Sequence, residues 1–113
     1  MLEWITLNNI NQLTDISRDS YYKYQLIFKH STRCSISALA LDRLNREWHF
    51  DSSQITPYYL DLLQYRDISN KIAEKWQVQH QSPQILIIRN DECIYDATHN
   101  QISVKEIRDF LTQ

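Results

Sequence analysis

Segments with helical spacing alternate with short apolar segments along this chain, a pattern typical of an α/β domain. Apolar residues recur every three or four positions in four segments, at about residues 8–19, 34–48, 68–76 and 104–111. Strand-like segments lie between them, at 24–28, 58–63, 84–88 and 93–95. Strands joined through a helix pair in parallel, whereas a hairpin pairs them antiparallel. We therefore expect a central mixed four-stranded sheet flanked by helices.

The turns of this fold have to form without glycine, because the sequence contains none. Wherever the backbone needs a positive φ, residues such as Asn and Asp must supply it. Asn90-Asp91 separates the last two predicted strands and therefore predicts a tight hairpin. Ser103, followed three residues later by Glu106, predicts a capping box at the start of the last helix. The lack of glycine also excludes glycine-rich phosphate-binding loops.

Length and composition indicate one globular domain over residues 1–113, large enough to bury a single core. No apolar run approaches the ~20 residues that cross a bilayer, and the first ten residues lack the features of a signal peptide. We therefore expect a cytoplasmic protein with no membrane partner. The net charge of −2 gives no reason to expect a nucleic-acid partner.

Cys34 follows a predicted strand and opens a predicted helix, so it is the candidate catalytic residue. A helix start carries about half a positive charge, which favours the thiolate that attacks disulfides. Lys29, His30 and Arg33 lie close in sequence and would add to this effect. The alternative readings are an inert packed cysteine at 34 and merely solvated charges at 29 and 33.

Ser37 lies one helical turn after Cys34, where its hydroxyl would donate to the thiolate or simply belong to the helix start. With no cysteine at 37, Cys34 has no local partner and must form mixed disulfides with other molecules. Cys93 lies just beyond the predicted hairpin, roughly 20 Å along the strand from Pro83. A disulfide needs Cα atoms within about 7 Å, so we expect Cys93 to be an ordinary strand residue.

Three segments resemble the YtxJ-like, monothiol bacilliredoxin family, and the most specific of them surrounds Cys34. That family's signature is roughly K-H-S-T-x-C-P-I-S, and the matching residues here are Lys29, His30, Ser31, Thr32, Cys34, Ile36 and Ser37. Ser35 stands in place of the usual proline. The other two segments are Gln81-Ser82-Pro83-Gln84, which resembles an S-P-Q element, and Asp96-Ala97-Thr98-His99, which is similar to H-A-S-H.

The resemblance implies a thioredoxin-like fold and a division of roles within the site. Pro83 would be cis and face the thiol, leaving the Ser82 backbone free to pair with an extended substrate. The substrate-positioning residues would be Ser82, Pro83, Thr32 and His99. The thiolate-stabilising residues would be Ser37, Arg33, Lys29 and His30. A trans proline and purely structural histidines are the alternative interpretations.

The implied function is that of a bacterial, cytosolic monothiol thiol-disulfide oxidoreductase of the stress response. Cys34 would take bacillithiol from S-thiolated cytosolic proteins, with bacillithiol as co-substrate and no bound cofactor or metal. The protein would act as a monomer or weak homo-oligomer. Two other functions stay open: a non-catalytic binding module on the same scaffold, and a glutaredoxin-like carrier of an iron–sulfur cluster.

Overall fold

A computed structural model of the chain describes residues 2–113 and confirms the alternation of strands and helices. The elements in chain order are β1 (Ile5–Thr6), α1 (Gln12–Asp19), β2 (Tyr24–His30), α2 (Ser35–Glu47), β3 (Ile55–Asp61), α3 (Arg66–Trp76), β4 (Gln84–Arg89), β5 (Glu92–Thr98) and α4 (Val104–Leu111). A short 3-10 turn, His99–Gln101, precedes α4.

The predicted mixed sheet is confirmed, but it has five strands rather than four, in the order β1-β3-β2-β4-β5. β2 runs parallel to β3 and antiparallel to β4, and β4 and β5 form the antiparallel hairpin. The additional strand is β1, which pairs with Tyr58 and Tyr59 through two residues only. Both of its side chains are exposed, so no apolar alternation marks it in the sequence.

Helices cover both faces of the sheet, because strand side chains alternate between the two. α1 and α3 pack on one face, called here the α3 face, against residues that include Ile27, Leu60 and Leu86. α2 and α4 pack on the other, the α2 face, against Leu26, Phe28, Ile85 and Ile87. Successive β2 residues therefore enter different cores, a fact that decides where the side chains of Lys29 and His30 lie.

The predicted hairpin is confirmed, with φ values of 53° at Asn90 and 59° at Asp91. Ser20, at the end of α1, holds it in place. The Asn90 N–H donates to the Ser20 carbonyl (2.9 Å), and the Asp91 N–H donates to Ser20 Oγ (2.8 Å). Trp76 Nε1 donates to Asp91 Oδ1 at 3.1 Å. The turn is therefore tied to both helices of the α3 face.

The predicted cap at Ser103 is also confirmed, since the Glu106 N–H donates to Ser103 Oγ at 3.1 Å. Two other positive φ values, however, fall on Gln77 (55°) and His99 (53°), so Asn and Asp are not alone in supplying that conformation. Gln77 ends α3, where its N–H donates to the Ala73 carbonyl.

The boundaries of β3 differ from the prediction, since the strand begins at Ile55 and contains Pro57. Backbone groups of alternate strand residues point to the same side. The Tyr59 carbonyl faces β1, where it accepts from the Leu7 N–H, so the Pro57 nitrogen faces β1 as well. β1 pairs with β3 only from Tyr58 onward, and the proline therefore removes no ladder hydrogen bond.

None of the helices in the described part of the chain is long and apolar enough to span a bilayer.

Candidate active site

One end of the sheet gathers the residues singled out in the sequence. β2 and β3 both finish there, with His30 in register with Asp61. β4 starts and β5 finishes at the same end, because Gln84 pairs with both Lys29 and Thr98. We call this the Cys34 end and the opposite one, which carries the Asn90-Asp91 turn, the hairpin end.

Cys34 occupies the N-cap position of α2, as predicted. Its backbone is extended (φ −115°, ψ 122°), its N–H donates to the Ser31 carbonyl (3.2 Å), and its carbonyl accepts from the Ala38 N–H (3.0 Å). Residues 31–34 thus form a tight turn from β2 into α2. The thiol is half-buried, so a substrate disulfide can reach this sulfur, which lies at the positive end of a 13-residue helix.

Ser37 lies beneath this turn, and its hydroxyl is used differently from the prediction. The side chain is fully buried. Its Oγ lies 2.6 Å from His30 Nδ1 and accepts from the Ser31 N–H at 3.0 Å. Within residues 2–113 it forms no hydrogen bond with Cys34, because it turns inward toward β2. Ser37 therefore fixes the turn that carries the sulfur.

His30 lies on the α2 face, where its ring stacks on Phe28 (5.6 Å between ring centroids) and lies 5.5 Å from the Tyr59 ring. Burial lowers the pKa of His30 below its ordinary value, against the Asp61 carboxylate and the hydrogen bond at Ser37, which both raise it. The imidazole is therefore protonated less readily than an unperturbed histidine, which argues against the thiolate-stabilising charge predicted for it.

The thiolate-stabilising role predicted for Lys29 is corrected. Strand alternation sends its side chain to the α3 face, whereas Cys34 caps a helix of the α2 face. The residue is fully buried. Its Nζ donates to the Ser69 carbonyl at 3.1 Å and lies 3.4 Å from His80 Nδ1. The ammonium is thus bound beneath α3 and does not contact the Cys34 turn.

Thr32 and Arg33 lie in the turn itself, and both are exposed. Arg33 forms no ion pair with the carboxylates of residues 2–113, so its guanidinium is free beside the helix start. The substrate-positioning role of Thr32 and the thiolate-stabilising role of Arg33 stay predictions.

Pro83 lies at the same end of the sheet as this turn, since it directly precedes Gln84, which pairs with Lys29. The Ser82–Pro83 peptide bond is cis, as predicted. Ser82 Oγ is buried and has no hydrogen-bond partner among the described residues. The Pro83 carbonyl accepts from the His99 N–H at 3.2 Å. The structure therefore brings Ser82, Pro83 and His99 together, and their roles toward substrate stay predictions.

Arg43, a residue of α2 that the sequence did not single out, ties His99 to the site. Its guanidinium donates to the carbonyls of His99 (3.2 Å) and Ile102 (3.1 Å). The helix that carries Cys34 thereby holds the 3-10 turn in place. No role was predicted for Tyr59, Asp61, Ser69, His80 or Gln84. Polarity at a buried position is a signal for Ser69 and Gln84.

Cys93 lies at the hairpin end, and both cysteines are free. It pairs with Ile88, which in turn pairs with Gln25, five residue steps or roughly 17 Å from His30. Its thiol donates to the Tyr95 carbonyl at 3.4 Å, and burial raises its pKa above the ordinary value. The prediction of a strand residue that cannot pair with Cys34 in the same chain is confirmed.

The chain matches known proteins over most of its length. Residues 5–107 match the family model described as monothiol bacilliredoxin BrxC. A solved structure presented as an oxidoreductase with a thioredoxin fold is 34% identical, with a TM-score of 0.78 over 93% of this chain and 90% of that one.

Two thioredoxins show the same fold at low identity. That of Malassezia sympodialis is 13% identical, with a TM-score of 0.72 over 98% of this chain and 90% of its own. That of Trypanosoma brucei brucei is 14% identical, with a TM-score of 0.68 over 98% and 93%.

Proposed function

Because this chain belongs to the monothiol bacilliredoxin family, we propose that it removes bacillithiol from S-thiolated proteins in the bacterial cytoplasm. Family and fold make it a thiol-disulfide oxidoreductase, and Cys34 is the nucleophile of the proposed reaction. The small thiol and the protein substrates are the proposed part. Because family and fold support an oxidoreductase, they argue against the non-catalytic binding module. No feature of the described site favours the iron–sulfur carrier.

The observation that carries the proposal is a single accessible sulfur at a helix start, with Ser37 in the position where a dithiol enzyme has its second cysteine. Ser37 is buried against His30, and Cys93 lies at the other end of the sheet. A site of this kind holds a small thiol as a mixed disulfide until another molecule removes it.

The reaction runs in two exchanges that conserve electrons. In the first, the Cys34 thiolate attacks the bacillithiol sulfur of a protein mixed disulfide. The disulfide bond between this sulfur and the sulfur of the protein cysteine breaks, and the repaired protein leaves as a thiolate that takes a proton from solvent. In the second, the thiolate of another bacillithiol attacks the bacillithiol sulfur held on Cys34. Cys34 leaves as its thiolate, and oxidised bacillithiol, the disulfide of two such molecules, departs with the two oxidising equivalents.

Substrate would lie against Ser82, whose position at the same end of the sheet as the Cys34 turn supports this role. A main chain in extended form pairs with exposed backbone groups much as an added strand does. His99, bonded through its backbone to Pro83, would line the same groove from the β5 side. Thr32 and Arg33 would border it from the exposed turn.

The test uses a single-cysteine protein that carries bacillithiol and is mixed with the purified chain. We expect intact-mass measurement to show the test protein losing bacillithiol while Cys34 gains it. Added free bacillithiol should then restore the Cys34 thiol. Cys34→Ser is the negative control and Cys93→Ser the matched control that keeps full transfer. An unmodified Cys34 after complete mixing would refute the proposal. The same test protein carrying glutathione shows whether the site selects the small thiol.

A further inference from the structure

Lys29 is a buried ammonium that the thiol chemistry does not use. It is fully buried and forms no ion pair with the carboxylates of residues 2–113. Its bonds go to the Ser69 carbonyl (3.1 Å) and to His80 Nδ1 (3.4 Å), and Ser69 Oγ lies 3.2 Å from the same nitrogen. Because an ammonium has only donors, His80 must present an unprotonated Nδ1 to it.

Gln84 is the cross-strand neighbour of Lys29 and continues the same network. Paired residues share a face of the sheet, and Gln84 is also buried, with 1% of its surface exposed. Its Nε2 donates to the Gln79 carbonyl at 3.1 Å, and its Oε1 accepts from the Gln81 N–H at 3.4 Å. Three consecutive residues, 79, 80 and 81, are therefore held by two side chains of the sheet.

A buried ammonium without a counter-charge is costly, and most other inward positions on the α3 face are apolar. The contacts of Lys29 and Gln84 converge on the segment that leads directly into Ser82 and Pro83. Perturbed groups of this sort concentrate near functional sites. The network therefore has a function that two apolar residues at positions 29 and 84 would not provide.

We propose that Lys29, acting through His80, is a positioning residue that holds the substrate loop, residues 79–83, in the conformation that presents Ser82 to a bound protein. The inference rests on the proposed role of Ser82 in substrate binding and adds the means by which the loop is held. Lys29 itself touches neither substrate nor the reacting sulfur.

The charges around His80 make this arrangement sensitive to pH. Burial lowers the pKa of His80, and the cations of Lys29 on β2 and Arg66 on α3 lower it further. Burial also lowers the pKa of Lys29 to about 8. At neutral pH a charged lysine therefore donates to a neutral histidine. Acidification protonates Nδ1, which then faces an ammonium instead of accepting from it, and the loop is released.

The first experiment compares His80→Leu, which removes the acceptor, with His80→Asn, whose amide oxygen keeps one near the position of Nδ1 and does not titrate. With a bacillithiol-carrying test protein, we expect His80→Leu to raise KM about tenfold, which corresponds to the loss of one hydrogen bond to a charged group. We expect kcat to stay within about twofold of that of the natural chain. Alkylation of Cys34 by iodoacetamide should not change. His80→Asn should restore KM and abolish its rise between pH 7 and 5.

The second experiment needs no substrate, so it decides the inference even if the proposed function fails. In the free protein, the NMR order parameter of the Ser82 amide should fall from a rigid value toward about 0.6 or below in His80→Leu and in Lys29→Met. It should stay high in His80→Asn. A Ser82 amide equally ordered in all four proteins, or an unchanged KM in His80→Leu, would overturn the inference.

Discussion

The two ends of the sheet differ in how their polar groups are used. At the hairpin end, Ser20, Trp76 and Asp91 bond to one another across α1, α3 and the turn. Buried side-chain oxygens without a hydrogen-bond partner among the described residues occur at both ends, with Ser82 Oγ at the Cys34 end and Ser17 Oγ and Gln25 Oε1 at the hairpin end. The thiols distinguish the two ends, since Cys93 donates to a carbonyl while Cys34 caps a helix.

This difference supports the proposal that Cys34 is the reactive thiol and Cys93 a structural one. Both are half-buried, so exposure does not separate them. Cys34 lies where helix N–H groups and the helix dipole favour an anion. Cys93 lies on a strand where burial and the Asp96 carboxylate oppose ionisation. The reactivity expected at the first end therefore comes from the helix start that carries Cys34, whereas the strand that carries Cys93 opposes ionisation of its thiol.

The largest expected effect comes from exchanging each thiol for a hydroxyl. Cys34→Ser should lower turnover of a bacillithiol-carrying protein by more than about 10³-fold, because the nucleophile is lost. Cys93→Ser should leave turnover within about twofold. Steady-state rates of both variants beside the natural chain measure the difference. Comparable losses in the two would break the distinction between the ends.

The next effect concerns the cost of the buried ammonium at the Cys34 end. The folded pKa of Lys29 is about 8, against an ordinary 10.5, so between these pH values the unfolded chain binds more protons and stability rises with pH. The full penalty is present below pH 8. Lys29→Met lacks this penalty, so its free energy of unfolding should exceed that of the natural chain at pH 7. This difference should shrink by about 3 kcal/mol from pH 7 to 10.5.

Urea unfolding of both proteins at several pH values provides that measurement, with tyrosine ionisation common to both and cancelling in the difference. Lys71→Met, a matched change at an exposed lysine that pairs with Glu74, is the control, and its stability difference from the natural chain should vary with pH far less than that of Lys29→Met. A constant difference for Lys29→Met would contradict the lowered pKa.

A smaller effect is expected from loosening the hairpin end. Asp91→Ala removes the acceptor of the Trp76 indole and places a Cβ without a polar side chain at φ 59°. We expect a loss of about 1–2 kcal/mol of stability and unchanged Cys34 chemistry. Asp91→Asn, which keeps the oxygen, should lose less than half as much. Thermal unfolding and iodoacetamide labelling of Cys34 report the two quantities, and slower labelling in Asp91→Ala would show that the ends are coupled.

The smallest effect is at the start of α2, where Ser35 replaces the proline of the family signature. Cys34 has the extended backbone that a following proline requires, and proline suits the first helical position. Ser35→Pro should therefore raise stability by about 0.5 kcal/mol through the unfolded chain, whereas Ser35→Ala should change it little. A midpoint of urea unfolding that falls in Ser35→Pro would exclude a proline-compatible helix start.

Much of the fold could be predicted because local chemistry determines it. Asn90-Asp91 tolerates positive φ and gives the hairpin, and Ser103 with Glu106 marks the last helix. The strand Ile5–Thr6 could not be predicted, because two exposed residues carry no periodic signal. Pro57 was predicted to open β3, whereas it lies inside that strand. The local sequence does not show that its nitrogen faces the β1 side at a position where β1 has no paired residue.

The sequence predicted which residues form the site better than it predicted their side-chain contacts. Cys34 and Pro83 follow from local sequence and from the family signature. The face to which Lys29 points depends on the alternation of a strand whose buried residues run without interruption from Gln25 to His30, so periodicity does not reveal it. His80 and Ser69 lie 51 and 40 residues from Lys29 in sequence. The pairing of β2 with β4 brings the His80 segment close, and the packing of α3 on the sheet brings Ser69 close.

The absence of glycine from the turns also affects the unfolded state of the chain. Each of the four positive φ values within residues 2–113 falls on a residue with a Cβ, which costs about 1 kcal/mol or more in the native turn. The same Cβ narrows the conformations open to that residue before folding, worth about 0.4–1 kcal/mol in the other direction. The second term offsets only part of the first, so the chain retains the imidazole of His99 and the carboxylate of Asp91 in its turns at a reduced thermodynamic cost.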